Sequence, residues 1–140
     1  MRMRKGFTLI ELLIVLAIIA ALMGVVTPIA LNAVKKAKAT QVATNFQNIK
    51  AAIENYVNVK QALPQSLNIL VSEGYLNRTP DGFSLEVDNT FNNGIAVATI
   101  TYTAGDVDMN LVAQVNPEVT TVIANGSAAS GVAITFQKWW

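Results

Sequence analysis

Few side chains in this sequence are equipped for chemistry. The 140 residues contain neither Cys nor His, which removes thiol chemistry, disulfide staples, the commonest zinc sites and the commonest general bases. Ser84, Ser127 and Ser130 lie in no nucleophile motif, and no Gly-rich phosphate loop is present. The pattern is not that of an enzyme, and neither a cofactor nor a metal is expected. One carboxylate stands out. Glu11 is flanked by Phe7, Leu9, Ile10, Leu12 and Leu13. Carrying a carboxylate to the centre of a bilayer costs on the order of 2.5–3.5 kcal/mol. Either Glu11 snorkels at headgroup level, or it meets a specific cation. No basic residue follows within a helical turn, so such a cation must come from elsewhere.

The remaining polar groups have ordinary explanations. Asp88, Asn89, Asn92, Asn93, Asp106 and Asp108 are oxygen donors of the kind calcium takes, but their spacing matches no defined loop, and Asn and Asp favour turns without a metal. Lys35, Lys36 and Lys38 suit anchoring at headgroups, with a phosphate track for DNA as the sharper alternative. Asn77-Arg78-Thr79 and Asn125-Gly126-Ser127 match a short glycosylation pattern that arises readily by chance. Trp139 and Trp140 suit packing on a sheet edge or a subunit contact.

The elements that would position Glu11 are plain. From Leu12 to Val34 no residue is charged, and within Leu12–Leu31 only Gly24, Thr27 and Pro28 interrupt the apolar run. Twenty helical residues cross the roughly 30 Å hydrocarbon core. Arg2, Arg4 and Lys5 precede this run, but it is longer than a signal-peptide core and continues into helix-forming sequence, so a retained membrane helix is expected. Basic residues on both sides leave the orientation near a tie. Proline removes a helix hydrogen bond, so a kink is expected around Gly24 and Pro28.

Lys5-Gly6-Phe7-Thr8-Leu9-Ile10-Glu11-Leu12-Leu13 resembles the class III leader of type IV pilins and type II secretion pseudopilins: a basic leader ending in Gly, then Phe, a glutamate five residues into the mature chain, and an apolar helix. The close resemblance covers about Lys5–Lys38. It implies cleavage between Gly6 and Phe7 by a prepilin peptidase, N-methylation of Phe7, and pairing of Glu11 with the Phe7 amine of a neighbouring subunit. Cleavage would remove Arg2, Arg4 and Lys5, so that the ten Lys and Arg side chains fall below the nine Asp and Glu. The resemblance further implies a single pass through the bacterial inner membrane with the N-terminus cytoplasmic. An assembly platform with its ATPase then extracts the chain into an extracellular pilus or a periplasmic pseudopilus. In such filaments the stretch equivalent to Gly24–Pro28 can lose helical order.

Beyond the span, Val42, Phe46, Ile49, Ile53 and Tyr56–Val57 recur at helical spacing with a polar opposite face. No Gly or Pro falls between Ala30 and Leu63, so one helix of roughly 80 Å from Phe7 to Gln61, ended by Pro64, is expected. Ser66 can cap a short helix that ends at Gly74. After Pro80-Asp81-Gly82 the period becomes two: Phe83, Leu85 and Val87, then an Asn93-Gly94 turn, Ile95–Thr103, and alternating Val107, Met109, Leu111, Ala113 and Val115. Val119–Ala124 and Val132–Gln137 are further strands, with Asn116-Pro117 and Asn125–Gly131 as breaks. The expected fold is α+β, a long N-terminal helix packed on a four- to five-stranded antiparallel sheet. The expected domains are a leader at 1–6, a transmembrane or filament-core helix at 7–34 and a head at 35–140. The head divides into an amphipathic helix (35–62), a connecting segment (63–81) and a β-sheet region (82–140).

The expected function is a structural subunit of a type IV pilus or pilin-like filament, a homopolymer assembled through its N-terminal helix. The alternative is a minor pilin or pseudopilin acting as a membrane-tethered binding module in DNA uptake, adhesion or secretion. The disulfide-closed loop of many pilins cannot form here, and the double-aspartate and tryptophan signature of the secretion pseudopilins is missing.

Overall fold

The computed structural model describes residues 6–92, 94–124 and 127–138, with side chains placed for all of these except 89–92, 123–124 and 127–128. The chain divides into two compact units, Met1–Lys36 and Ala37–Trp140. One helix, α1 (Leu9–Lys60), contributes to both.

In the first unit every described side chain is exposed. Apolar residues occur on all sides of α1 there, so no stripe is singled out for a core. α1 continues through Pro28. Pro28 has no N–H to give the Gly24 carbonyl. One residue earlier, the Thr27 hydroxyl donates to the Met23 carbonyl at 2.8 Å.

In the second unit α1 buries Ala39, Val42, Ala43, Phe46, Ile49, Ala52, Ile53 and Val57. The expected stripe is therefore the core stripe, with Tyr56 half-buried at its edge. α1 stops at Lys60, short of Pro64, because Gln61 takes a left-handed backbone with φ 55°. A short α2 (Leu67–Ser72) follows. Ser66 holds the N-cap position, but its hydroxyl makes no capping bond; its carbonyl accepts from the Ile69 N–H at 3.3 Å. The C-terminus of α2 closes as expected before Gly74, whose φ is 80°. Tyr75 N–H reaches the Leu70 carbonyl at 2.8 Å and Gly74 N–H the Val71 carbonyl at 3.1 Å, a Schellman arrangement.

The sheet contains four antiparallel strands in the order β1-β2-β4-β3. They are β1 (Phe83–Asn92), β2 (Ile95–Tyr102), β3 (Thr120–Ala124) and β4 (Ser127–Gln137). Together with the buried side of α1 they form the expected α+β fold. Phe46 meets Phe83 edge-on at 4.9 Å between ring centres, and Phe83 meets Tyr102 at 4.9 Å.

Two expectations are corrected. The alternating Val107–Val115 segment is not a strand but contains a helix, α3 (Met109–Val115). Asp108 caps it, accepting from the Asn110 N–H at 2.9 Å. Val112, outside the alternating set, is the buried residue of α3, and Asn116 at its C-cap is buried too, whereas Val115 is 47% exposed. Full burial thus falls on Val112 and Asn116, one helical turn apart, while Met109, Leu111 and Ala113 are half-buried. Secondly, Ser127–Gly131 is not part of a break but the first half of β4. Gly131 pairs with Thr101 on one side and Thr120 on the other. A Cβ there would stand 2.1 Å from the Ile100 carbonyl oxygen, so this glycine permits close approach of strands. Asn93 of the expected turn, and Asn125 and Gly126 of the expected break, lie outside the described residues.

Candidate functional site

The residues at the start of α1 form a small closed constellation. The Thr8 carbonyl accepts the first helical bond, from the Leu12 N–H at 3.1 Å, which makes Thr8 the N-cap and Leu9 the first helical residue. The Thr8 hydroxyl accepts from the Glu11 N–H at 3.3 Å. In return, Glu11 Oε2 accepts from the Thr8 N–H at 2.8 Å. This is a capping box, in which two orphan N–H groups are satisfied reciprocally. The Thr8-x-x-Glu11 spacing that encodes it is present in the sequence, and reading Glu11 only as a carboxylate awaiting a cation overlooks it.

The box has two chemical consequences. The negative charge is fixed at the positive end of the helix dipole. One carboxylate oxygen also holds the cap while the other, Oε1, keeps its acceptor capacity. Gly6, Phe7 and Thr8 precede the helix, and Phe7 is 90% exposed. Residues 1–5 of the expected leader lie outside the described residues.

Other candidates are dispersed. Among the described residues no group of three or more His, Cys, Asp or Glu is arranged to hold a metal. Asp108 is used as the α3 cap, and Asp106 accepts a hydrogen bond from the Tyr102 hydroxyl. Lys38 Nζ lies 3.8 Å from Asp106, and Lys36 is also engaged, so two of the three lysines after the apolar run have partners. Thr79 of the first sequon donates to Asn68 at 3.1 Å. Side chains of Asn89 and Asn92, and Trp139 and Trp140 altogether, lie outside the described residues.

Burial, and then the hydrogen bond to Asp106, push the Tyr102 phenol up to about 12. The same hydrogen bond holds the Asp106 carboxyl below its ordinary value. Lys50 and Lys60 are raised, chiefly by hydrogen bonds to Glu118 and Glu73. These pairs brace α1 against the α3–β3 connection and the end of α2, each at 2.7 Å.

Residues 1–27 match the family described as the prokaryotic N-terminal methylation motif. Over 75 residues the chain is 45% identical to the type IV wide pilus major component PilA4 of Thermus thermophilus, covering 49% of this chain and 57% of that relative. The chain thus spans little more than half the length of the curated relative it matches. No solved structure matches it. The motif and the relative support the type IV pilin family, and the α+β fold with its long apolar N-terminal helix is typical of pilins.

Proposed function

We propose that this chain is a structural subunit of a type IV pilus or pilin-like filament. The observation that carries the reading is the first unit itself. It is an apolar helix whose described side chains are all exposed, long and apolar enough to cross a membrane, and headed by a matched methylation motif. Such a surface needs lipid or other copies of itself.

In this reading the chain inserts as a single pass with its N-terminus cytoplasmic, and a prepilin peptidase cuts between Gly6 and Phe7. Phe7 is then N-methylated, and an inner-membrane platform with its ATPase extracts the subunit into a homopolymer. Cleavage creates the cation that Glu11 lacks, the Phe7 amine of a neighbouring subunit. Glu11 Oε1 is free to receive it without opening the capping box. Gly24 and Pro28 form the point at which the helix is easiest to bend or extend.

Mass spectrometry of sheared surface filaments tests this. The expected terminus is N-methyl-Phe7 on a chain that makes up the bulk of the filament; an intact Met1 would overturn the processing scheme. Two variants separate the roles of Glu11. Glu11→Gln keeps both arms of the box but not the charge, so processing and helix content should persist while assembly is lost. Glu11→Ala removes box and charge together. Normal filaments from Glu11→Gln would show that capping, not pairing, is what the residue supplies.

A second reading, a minor pilin or pseudopilin acting as a membrane-tethered binding module, is favoured by one feature of the head: an open polar groove.

A further inference from the structure

Within the second unit, α1, the segment after α2 and the loop after β2 border an open groove of about 580 Å³. Its size is that of small-molecule sites, about 300–1,000 Å³, but most such sites are largely apolar. Here the α1 side carries Gln41, Asn45, Asn48 and Asn55, and Asn77 adds a fifth carboxamide from the segment after α2. Positions 41, 45, 48 and 55 fall along one side of a helix. Ala51 and Ala52 lie among them, so the wall between the amides is low. Among the described residues none of the five carboxamides is engaged within the chain.

The charges in the groove balance. Lys38 and Arg78 oppose Asp81 and Asp106, and Lys38 and Asp106 already face each other at 3.8 Å. A balanced wall gives no field to concentrate a polyanion or a polycation. A carboxamide, in contrast, offers two donors and two acceptor lone pairs. That combination answers a hydroxyl group, which both donates and accepts. Tyr75, Phe83 and Tyr102 also line the groove and are half-buried; ring surface of this kind packs against the C–H face of a sugar.

We propose that this groove binds a short neutral oligosaccharide, its hydroxyls held by the carboxamides of Gln41, Asn45, Asn48, Asn55 and Asn77. The inference goes beyond the filament reading and does not depend on it, because the site lies wholly in the head of a single chain.

The test uses the full chain, ¹⁵N-labelled, in a zwitterionic detergent without sugar headgroups. Maltotriose, lactose and diacetylchitobiose are titrated in turn to millimolar concentration while the side-chain NH₂ signals are followed. The expected result is saturable shifts at Asn45, Asn48 and Asn77 with at least one of them. Asn45→Ala with Asn48→Ala should weaken binding by about tenfold. Alanine favours helix at both positions, and Asn77→Ala, outside the helix, gives an independent version of the same loss. Asn58→Ala, on α1 but not in the groove, should leave binding unchanged. No saturable shift with any of the sugars overturns the proposal, as do shifts that survive the double substitution. Two further results overturn it by naming another occupant: equal shifts with single-stranded DNA, or the same shifts on raising protein concentration without sugar, which assign the groove to a second copy of this chain.

Discussion

Leu22 and Ile29, in the first half of α1, are 61% and 64% exposed, whereas Phe46, Ile49 and Ile53 in its second half are fully buried. Both sets are large apolar side chains on one helix. The difference lies in what surrounds them in sequence. Thr44, Asn45, Gln47, Asn48 and Lys50 confine the second half to a single apolar stripe, which the sheet covers. In the first half no polar face competes, so no single stripe is defined. Apolar content alone therefore does not say where a residue is buried; the polar residues between decide whether the cover comes from the same chain or from outside it.

Substitutions in matched pairs test this contrast, the largest effect first. Gly131→Ala places a Cβ against the Ile100 carbonyl, and should destabilise the head by about 3 kcal/mol or more. Gly24→Ala has open space around it and should leave the head's melting in detergent where it was. Equal melting of both variants would refute the close strand approach at Gly131. Phe46→Ala should cost about 3–5 kcal/mol by the same measurement. Leu22→Ala should leave melting unchanged and lower only filament yield.

A pH series compares groups within the head. The folded Tyr102 phenol holds its proton more tightly than the unfolded one, about 12 against 10.0. Its contribution is therefore complete below pH 10 and is lost as pH rises towards 12. Lys50 and Lys60, also raised, act in the same direction in the alkaline range. In a titration of thermal stability, Tyr102→Phe should make the alkaline decline shallower without abolishing it. Asp106, which is lowered, behaves oppositely: its contribution is present above the ordinary carboxyl value and is lost as pH falls through its folded value.

The smallest effect is expected at the end of α1. Gln61 holds a left-handed φ of 55°, which disfavours any residue with a Cβ. Gln61→Gly should raise stability by about 0.5–1 kcal/mol, seen as a modest increase in Tm. A decrease would mean that the Gln61 side chain supplies more than its backbone costs.

These contrasts also show what was legible in the sequence. The core stripe of α1, the edges of β2 and the glycine closure of α2 each rest on a local pattern that agrees with the final packing. α3 was not legible from alternation, because Met109 and Leu111 suit either period and only the burial of Val112 decides between them. Gly131 reads as a break when taken alone, since its reason for being there is a carbonyl 31 positions earlier in the chain, at Ile100. The capping box is the converse case: Thr8 and Glu11 carry the full signal within four residues, but the unusual place of a carboxylate in an apolar run draws attention to its charge instead of its hydrogen bonds.

Under the proposed processing scheme, the box has a role beyond stability. A helical segment must unwind before a protease can grip it. By starting α1 at Leu9, Thr8 and Glu11 keep the Gly6–Phe7 bond in non-helical backbone directly ahead of a stiff rod. Under the proposed cleavage, the cap therefore acts as a ruler, fixing where substrate ends and subunit begins; Thr8→Ala would blur that mark while leaving the cleaved bond and the charge on Glu11 untouched.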